Sequence, residues 1–120
     1  MSEQHRVDLV EVDNRVVVEF NGEVLADSTE AVRVDETGYP PVYYLPRHAV
    51  RMDLLEPTDH RTLCPYKGDA SYFSVVHDGK RAENAVWYYE EPIPAVQGLK
   101  GLVAFYTDKL DSVTVDGKAL

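Results

Sequence analysis

The sequence predicts an all-β fold, two packed antiparallel sheets with at most one short helix. Three observations carry this. Apolar and polar residues alternate at period two in several short runs, β-branched and aromatic residues dominate those runs, and Gly, Pro, Asn and Asp punctuate the chain between them. At 120 residues the chain is read as a single domain, 1–120. A domain of that size buries roughly two thirds of its unfolded surface and needs no disulfide or structural metal to fold.

The elements follow in order. Residues 6–12 alternate, with Val7, Leu9 and Glu11 on one side and Asp8, Val10 and Val12 on the other. Residues 15–20 and 23–27 flank Asn21-Gly22, the pair a type I′ hairpin turn needs because both positions take φ > 0. Asp27-Ser28-Thr29 is turn chemistry ahead of a short strand at 31–34. Thr37–Pro41 is a loop, since two prolines remove two backbone donors. Val42–Leu45 is a strand ended by Pro46, residues 50–55 alternate as another, and Glu56-Pro57-Thr58-Asp59 reads as a turn. Ser71–Val76 and Ala85–Tyr89 pair around Asp78-Gly79, a second hairpin signal. Residues 95–101 make one helical turn with Val96 and Leu99 on one side, limited by Gly98 and Gly101. Residues 102–106 and 110–115 close the set, the last ended by Asp116-Gly117. The total is eight or nine short strands, with no repeat and no linker.

Composition narrows the function classes. The formal net charge is −9, with acidic residues spread along the chain, so phosphate backbones and anionic lipids are disfavoured partners: no nucleic acid and no membrane are expected. No run of about eighteen apolar residues is present. The start, MSEQHRVDLVEV, lacks an apolar signal core, and a lone cysteine suits a reducing compartment, so a cytoplasmic location is expected. The histidines at 5, 48, 60 and 77 show no ligand spacing and one cysteine cannot build a zinc centre, so neither metal nor cofactor is expected. GxSxG, HExxH and GxGxxG are absent.

The chemistry-bearing residues gather in Thr62–Tyr72, TLCPYKGDASY, and in Trp87-Tyr88-Tyr89. A turn at Pro65 can bring the Lys67 ammonium near the Cys64 sulfur, the kind of neighbour that lowers a thiol pKa; the alternative is a small buried hydrophobe. Lys67-Gly68 can hold an anion, with lysine as point charge and glycine letting backbone N–H groups approach; the alternative is an aliphatic stem covering apolar surface beside a left-handed turn. On an extended strand Ala85, Trp87 and Tyr89 share one face, and Tyr72 lies on the partner strand. With Tyr44, these aromatics either line a small-molecule cleft or form the core of a small sheet protein.

Four blocks, Tyr43-Tyr44-Leu45-Pro46, Thr62–Gly68 with Ala70 and Tyr72, Ala85–Tyr89 with Pro92, and Gly101–Tyr106, resemble the domain-of-unknown-function 427 family of bacterial and fungal proteins, over about Arg15 to Val115. Family members often carry Phe where Leu45 stands. The resemblance implies a β-tent-like fold, two antiparallel sheets meeting at an angle over a cleft, similar in architecture to methionine sulfoxide reductase B and the cereblon ligand-binding domain. Those relatives hold zinc with two CxxC pairs; this sequence has none, so zinc is not carried over. Some family members bear a nucleotidyltransferase label. Polymerase-like nucleotidyltransferases need a Gly-Ser turn and an Asp-x-Asp pair, and neither occurs here.

Three readings follow. The first is a binding module whose ligand-binding residues are Tyr44, Lys67, Gly68, Tyr72, Trp87 and Tyr89, with Lys67 meeting an anionic group of a small ligand. The second is an enzyme using Cys64 as nucleophile or redox thiol, with Lys67 lowering its pKa. The third is a structural role, the aromatic patch joining copies into a homo-oligomer.

Overall fold

Where alternation and turn chemistry agree, strands form as the sequence predicts. The computed structural model describes residues 4–120; Met1–Glu3, the start of the stretch read as lacking a secretion signal, lie outside them. Among the described residues there are eleven strands: β1 Val7–Glu11, β2 Val16–Phe20, β3 Glu23–Ser28, β4 Val32–Glu36, β5 Val42–Tyr44, β6 Leu55–Cys64, β7 Gly68–His77, β8 Lys80–Tyr89, β9 Val103–Phe105, β10 Ser112–Val115 and β11 Lys118–Ala119. All pairings between them are antiparallel. The all-β architecture of packed antiparallel sheets therefore holds, and its strands divide over three sheets, ordered β1-β4-β5, β11-β10-β2-β3 and β6-β7-β8-β9.

The turns explain the hairpins. Asn21 and Gly22 stand at φ 48° and 81°, Asp78 and Gly79 at 49° and 80°, both pairs in the left-handed region that a type I′ turn requires. Asp116 and Gly117 repeat the geometry at 51° and 80°. They end β10 at Val115, as read from the sequence, and fold the short β11 back onto it.

Two segments differ from expectation. Residues 50–55 alternate but do not extend: Arg47–Ala49 and Met52–Leu54 are 3-10 turns. Alternation over six residues is too short a signal to separate a strand from a single 3-10 turn between Val50 and Leu55. Glu56–Asp59 is no turn but part of β6, with the register slipping between Pro57 and Arg61. Pro57 is tolerated because β6 is an edge strand. The helical turn read at 95–101 forms at Pro94–Leu99 and buries Val96 and Leu99.

The β6–β9 sheet is the middle layer. Its one face, carrying Phe73, Val86, Val103 and Phe105, packs with Val16, Val18 and Leu25 of the β2–β3 hairpin in one core. Its other face, carrying Ala70, Tyr72, Tyr89 and Ala104, packs with Val34 and Tyr44 of the β1-β4-β5 sheet in a second. Burial on both faces explains why β7 reads as a nearly continuous buried run. Leu45 bridges to Val103 and joins the edge of the small sheet to the edge of the middle one. The second core is incompletely filled, and the site lies there.

Candidate functional site

Two sheets supply the walls. Val34 faces Val42 and Val32 faces Tyr44 across the β4–β5 ladder. Period-two geometry puts Val34, Glu36, Val42 and Tyr44 on one face. From the middle sheet, Tyr72 pairs with Trp87 and Ala70 with Tyr89, while Thr62 pairs with Ala70. Thr62, Tyr72, Trp87 and Tyr89 therefore share the opposing face. Between them lies a half-open cleft of about 360 Å³, whose lining includes Glu36, Tyr44, Cys64, Lys67, Tyr72, Trp87, Tyr89 and Tyr106, with Tyr39 and Pro40 of the loop at its rim.

The structure thus brings together five of the six residues named as ligand-binding, together with Cys64, the residue named as a thiol candidate. Gly68 is not among the cleft's lining residues. Its φ of +119° suits glycine, and a Cβ there would stand 3.3 Å from the Glu91 carbonyl oxygen and 3.6 Å from the Ile93 nitrogen. The Ile93 N–H donates to the Lys67 carbonyl at 3.0 Å, so Gly68 serves close backbone packing.

Lys67 is placed by the turn after Cys64, closed by its own N–H donating to the Cys64 carbonyl at 3.1 Å. Its Nζ lies 3.7 Å from Cys64 Sγ, the approach the Pro65 bend predicted. The same ammonium makes a short ion pair with Glu36. Both side chains are largely buried, at 9% and 12% exposure. The other Glu36 carboxylate oxygen lies 3.0 Å from His5 Nε2, and the His5 ring stacks on Tyr66. The cleft therefore holds a positive and a negative group side by side, where the sequence reading placed a lone positive charge.

The aromatic groups satisfy one another. Trp87 Nε1–H donates to Tyr44 Oη at 3.0 Å, and Tyr72 Oη shares a 2.8 Å hydrogen bond with Thr62 Oγ1. Among the described residues no buried side-chain nitrogen or oxygen lacks a partner. The tyrosine hydroxyls do not demand a ligand; the unfilled volume between them can receive one. Burial raises the Tyr44 pKa well above its ordinary value, against the opposing effect of the Trp87 hydrogen bond. Burial, then the neighbouring Tyr44 and Cys64, raises that of Tyr89. Tyr106 is pushed up to about 12, chiefly by burial and then by Tyr72. These phenols stay protonated at neutral pH and act as hydrogen-bonding groups, not as anions.

Glu36, Thr62 and Tyr106 were not singled out from the sequence. Glu36 carried a usable signal: in Val32-Arg33-Val34-Asp35-Glu36 it occupies the face of the two valines, a carboxylate on an apolar stripe. With 21 acidic residues in the chain, that signal is easily lost. Among the described residues no group of three or more His, Cys, Asp and Glu is placed to hold a metal ion, and no helix is long and apolar enough to cross a membrane.

The fold and the cleft define an all-β protein whose largely apolar, tyrosine-rich cavity lies between two antiparallel sheets. The chain belongs to the family described as Domain of unknown function (DUF427), whose model, labelled NTP_transf_9, matches residues 8–116. No curated protein matches it.

Proposed function

We propose that this protein is a binding module for a small zwitterionic molecule, held in the cleft between the β1-β4-β5 and β6–β9 sheets. The observation that carries this reading is the Lys67–Glu36 pair on the wall of a cleft of about 360 Å³ lined, apart from Thr62 and Cys64, by aromatic and apolar side chains. That volume lies within the range of small-molecule pockets, about 300–1,000 Å³. A purely anionic ligand approaching Lys67 also meets the Glu36 carboxylate and gains little. A ligand with both signs places its acceptor at Lys67 and its donor at Glu36 and gains from each. Tyr44, Tyr72, Trp87 and Tyr89 supply rigid contact surface at low entropic cost. Binding is favoured over thiol chemistry at Cys64, because the ammonium that would stabilise a thiolate is engaged by Glu36.

A ligand that binds only the folded state raises its melting temperature. In a melting-shift comparison, α-amino acids should stabilise the protein where acetate and methylamine at equal concentration do not. Glu36→Gln and Trp87→Ala should each abolish the shift while retaining a cooperative transition. A shift given equally by acetate, or one untouched by both substitutions, overturns the proposal.

A further inference from the structure

The aromatic cleft has a neighbour. Pro40, Val42, Trp87 and Tyr106 also form walls of a second cavity, about 220 Å³ in volume. It lies where all three sheets meet: Val16 and Val18 come from β2 and Val113 from β10, Phe105 from β9, and Val42 and Tyr43 from β5. Its chemistry differs from the first. No charged pair stands in it, and its only polar side chains besides the tyrosines are Thr107 and Asp108, both exposed.

Resting on the reading just given of the cleft, we propose that the ligand is amphipathic, with a zwitterionic head at Lys67 and Glu36 and an apolar tail that passes Trp87 into the second cavity. Three features favour a tail over a packing defect. A volume of about 150 Å³ suffices for a benzene-sized guest, and this cavity is larger, with an opening beside the exposed Thr107, Asp108 and Leu120. Its walls resist collapse: Pro40-Pro41 fixes the loop backbone, and the Trp87 ring is held by its bond to Tyr44 and by Tyr106 at 4.6 Å between ring centroids. Finally, the four shared walls are themselves apolar or aromatic, which suits a hydrocarbon and offers a second charged group nothing. The ligand class is an α-amino acid, or a molecule with that head, bearing a medium straight-chain alkyl or small aromatic side chain.

The test is calorimetric titration of the full chain with alanine, 2-aminobutyrate, norvaline, norleucine and 2-aminooctanoate. The head is constant across the series and the tail grows by methylenes. Affinity should rise about fourfold per methylene until the cavity is filled. Thr107→Trp, which fills the second cavity from an exposed position, should flatten that dependence; Leu120→Trp, at another exposed lining position, repeats the test should the first variant fold poorly. Binding independent of tail length but lost in Glu36→Gln overturns the tail and leaves the head site standing. Gain with length that survives both tryptophan variants places the tail elsewhere and also overturns it. No binding by any member removes the zwitterion site, and the tail with it.

Discussion

Tyr44 shows how one residue couples packing to ionisation. It is 2% exposed, its hydroxyl accepts from Trp87, and its ring lies 6.4 Å from that of Tyr89. Burial favours the neutral phenol, so the pKa values of Tyr44 and Tyr89 are raised in the folded state. The consequence for stability has a definite sign. In the unfolded chain a tyrosine ionises near its ordinary value of about 10, while the folded protein keeps its protons to higher pH. Above that value the folded state binds more protons than the unfolded one, so stability falls as pH rises; below it the contribution is fully present. Urea midpoints should therefore be flat from about pH 7 to 9 and decline above about pH 10. Tyr44→Phe should make that decline shallower. The same substitution should cost about 1 kcal/mol at neutral pH, because the Trp87 N–H loses its acceptor. An alkaline decline of unchanged slope in Tyr44→Phe would show that Tyr44 is not one of the groups responsible.

The hairpins were the most legible elements, because Asn21-Gly22 and Asp78-Gly79 encode their backbone conformation locally. The 3-10 turns at 47–49 and 52–54 were not, since neither carries a buried residue, a side-chain cap or a glycine to mark it, and a weak alternation at 50–55 points the other way. The β6–β7 connection lies between these cases. Cys64-Pro65-Tyr66-Lys67-Gly68 is plainly a turn in sequence, but the reason for its glycine is non-local: Glu91–Ile93 passes over Gly68. That distinction gives a prediction. Gly22 and Gly68 both have positive φ, yet an added Cβ meets nothing within 4 Å at Gly22 and backbone atoms at Gly68. Gly22→Ala should cost about 1 kcal/mol, the conformational penalty alone. Gly68→Ala should cost about 2–3 kcal/mol, because the 91–93 segment must also shift and its bond to the Lys67 carbonyl is strained. Equal losses in chemical denaturation would mean that the segment over Gly68 yields freely and does not fix Lys67.

Over the whole molecule, sequence reasoning found one wall of the cleft and missed part of the other. Tyr72, Trp87 and Tyr89 share a face by simple strand periodicity, whereas Glu36 reaches Lys67 only because the β1-β4-β5 sheet closes over the middle one, a pairing 31 residues apart in sequence. Charge was legible from the start and bears on stability of the entire fold. The net charge of −9 repels itself more strongly in the folded chain than in the expanded one. Against this stand exposed and half-buried ion pairs, several of them two residues apart on one strand or turn: Arg33–Asp35, Arg51–Asp53 and Arg81–Glu83. Pairs so close in sequence persist in part when the chain unfolds, and exposed pairs contribute only about 0–1 kcal/mol each. Screening them therefore costs the folded state little, while screening the net repulsion favours it. Raising sodium chloride from about 20 mM to about 300 mM shortens the Debye length well below the molecule's 24 Å shortest extent. The melting temperature should rise, by about 2 °C for a gain of about half a kcal/mol. A melting temperature that falls with salt would mean that the ion pairs outweigh the repulsion, and Arg33→Gln and Arg81→Gln should then remove the salt dependence.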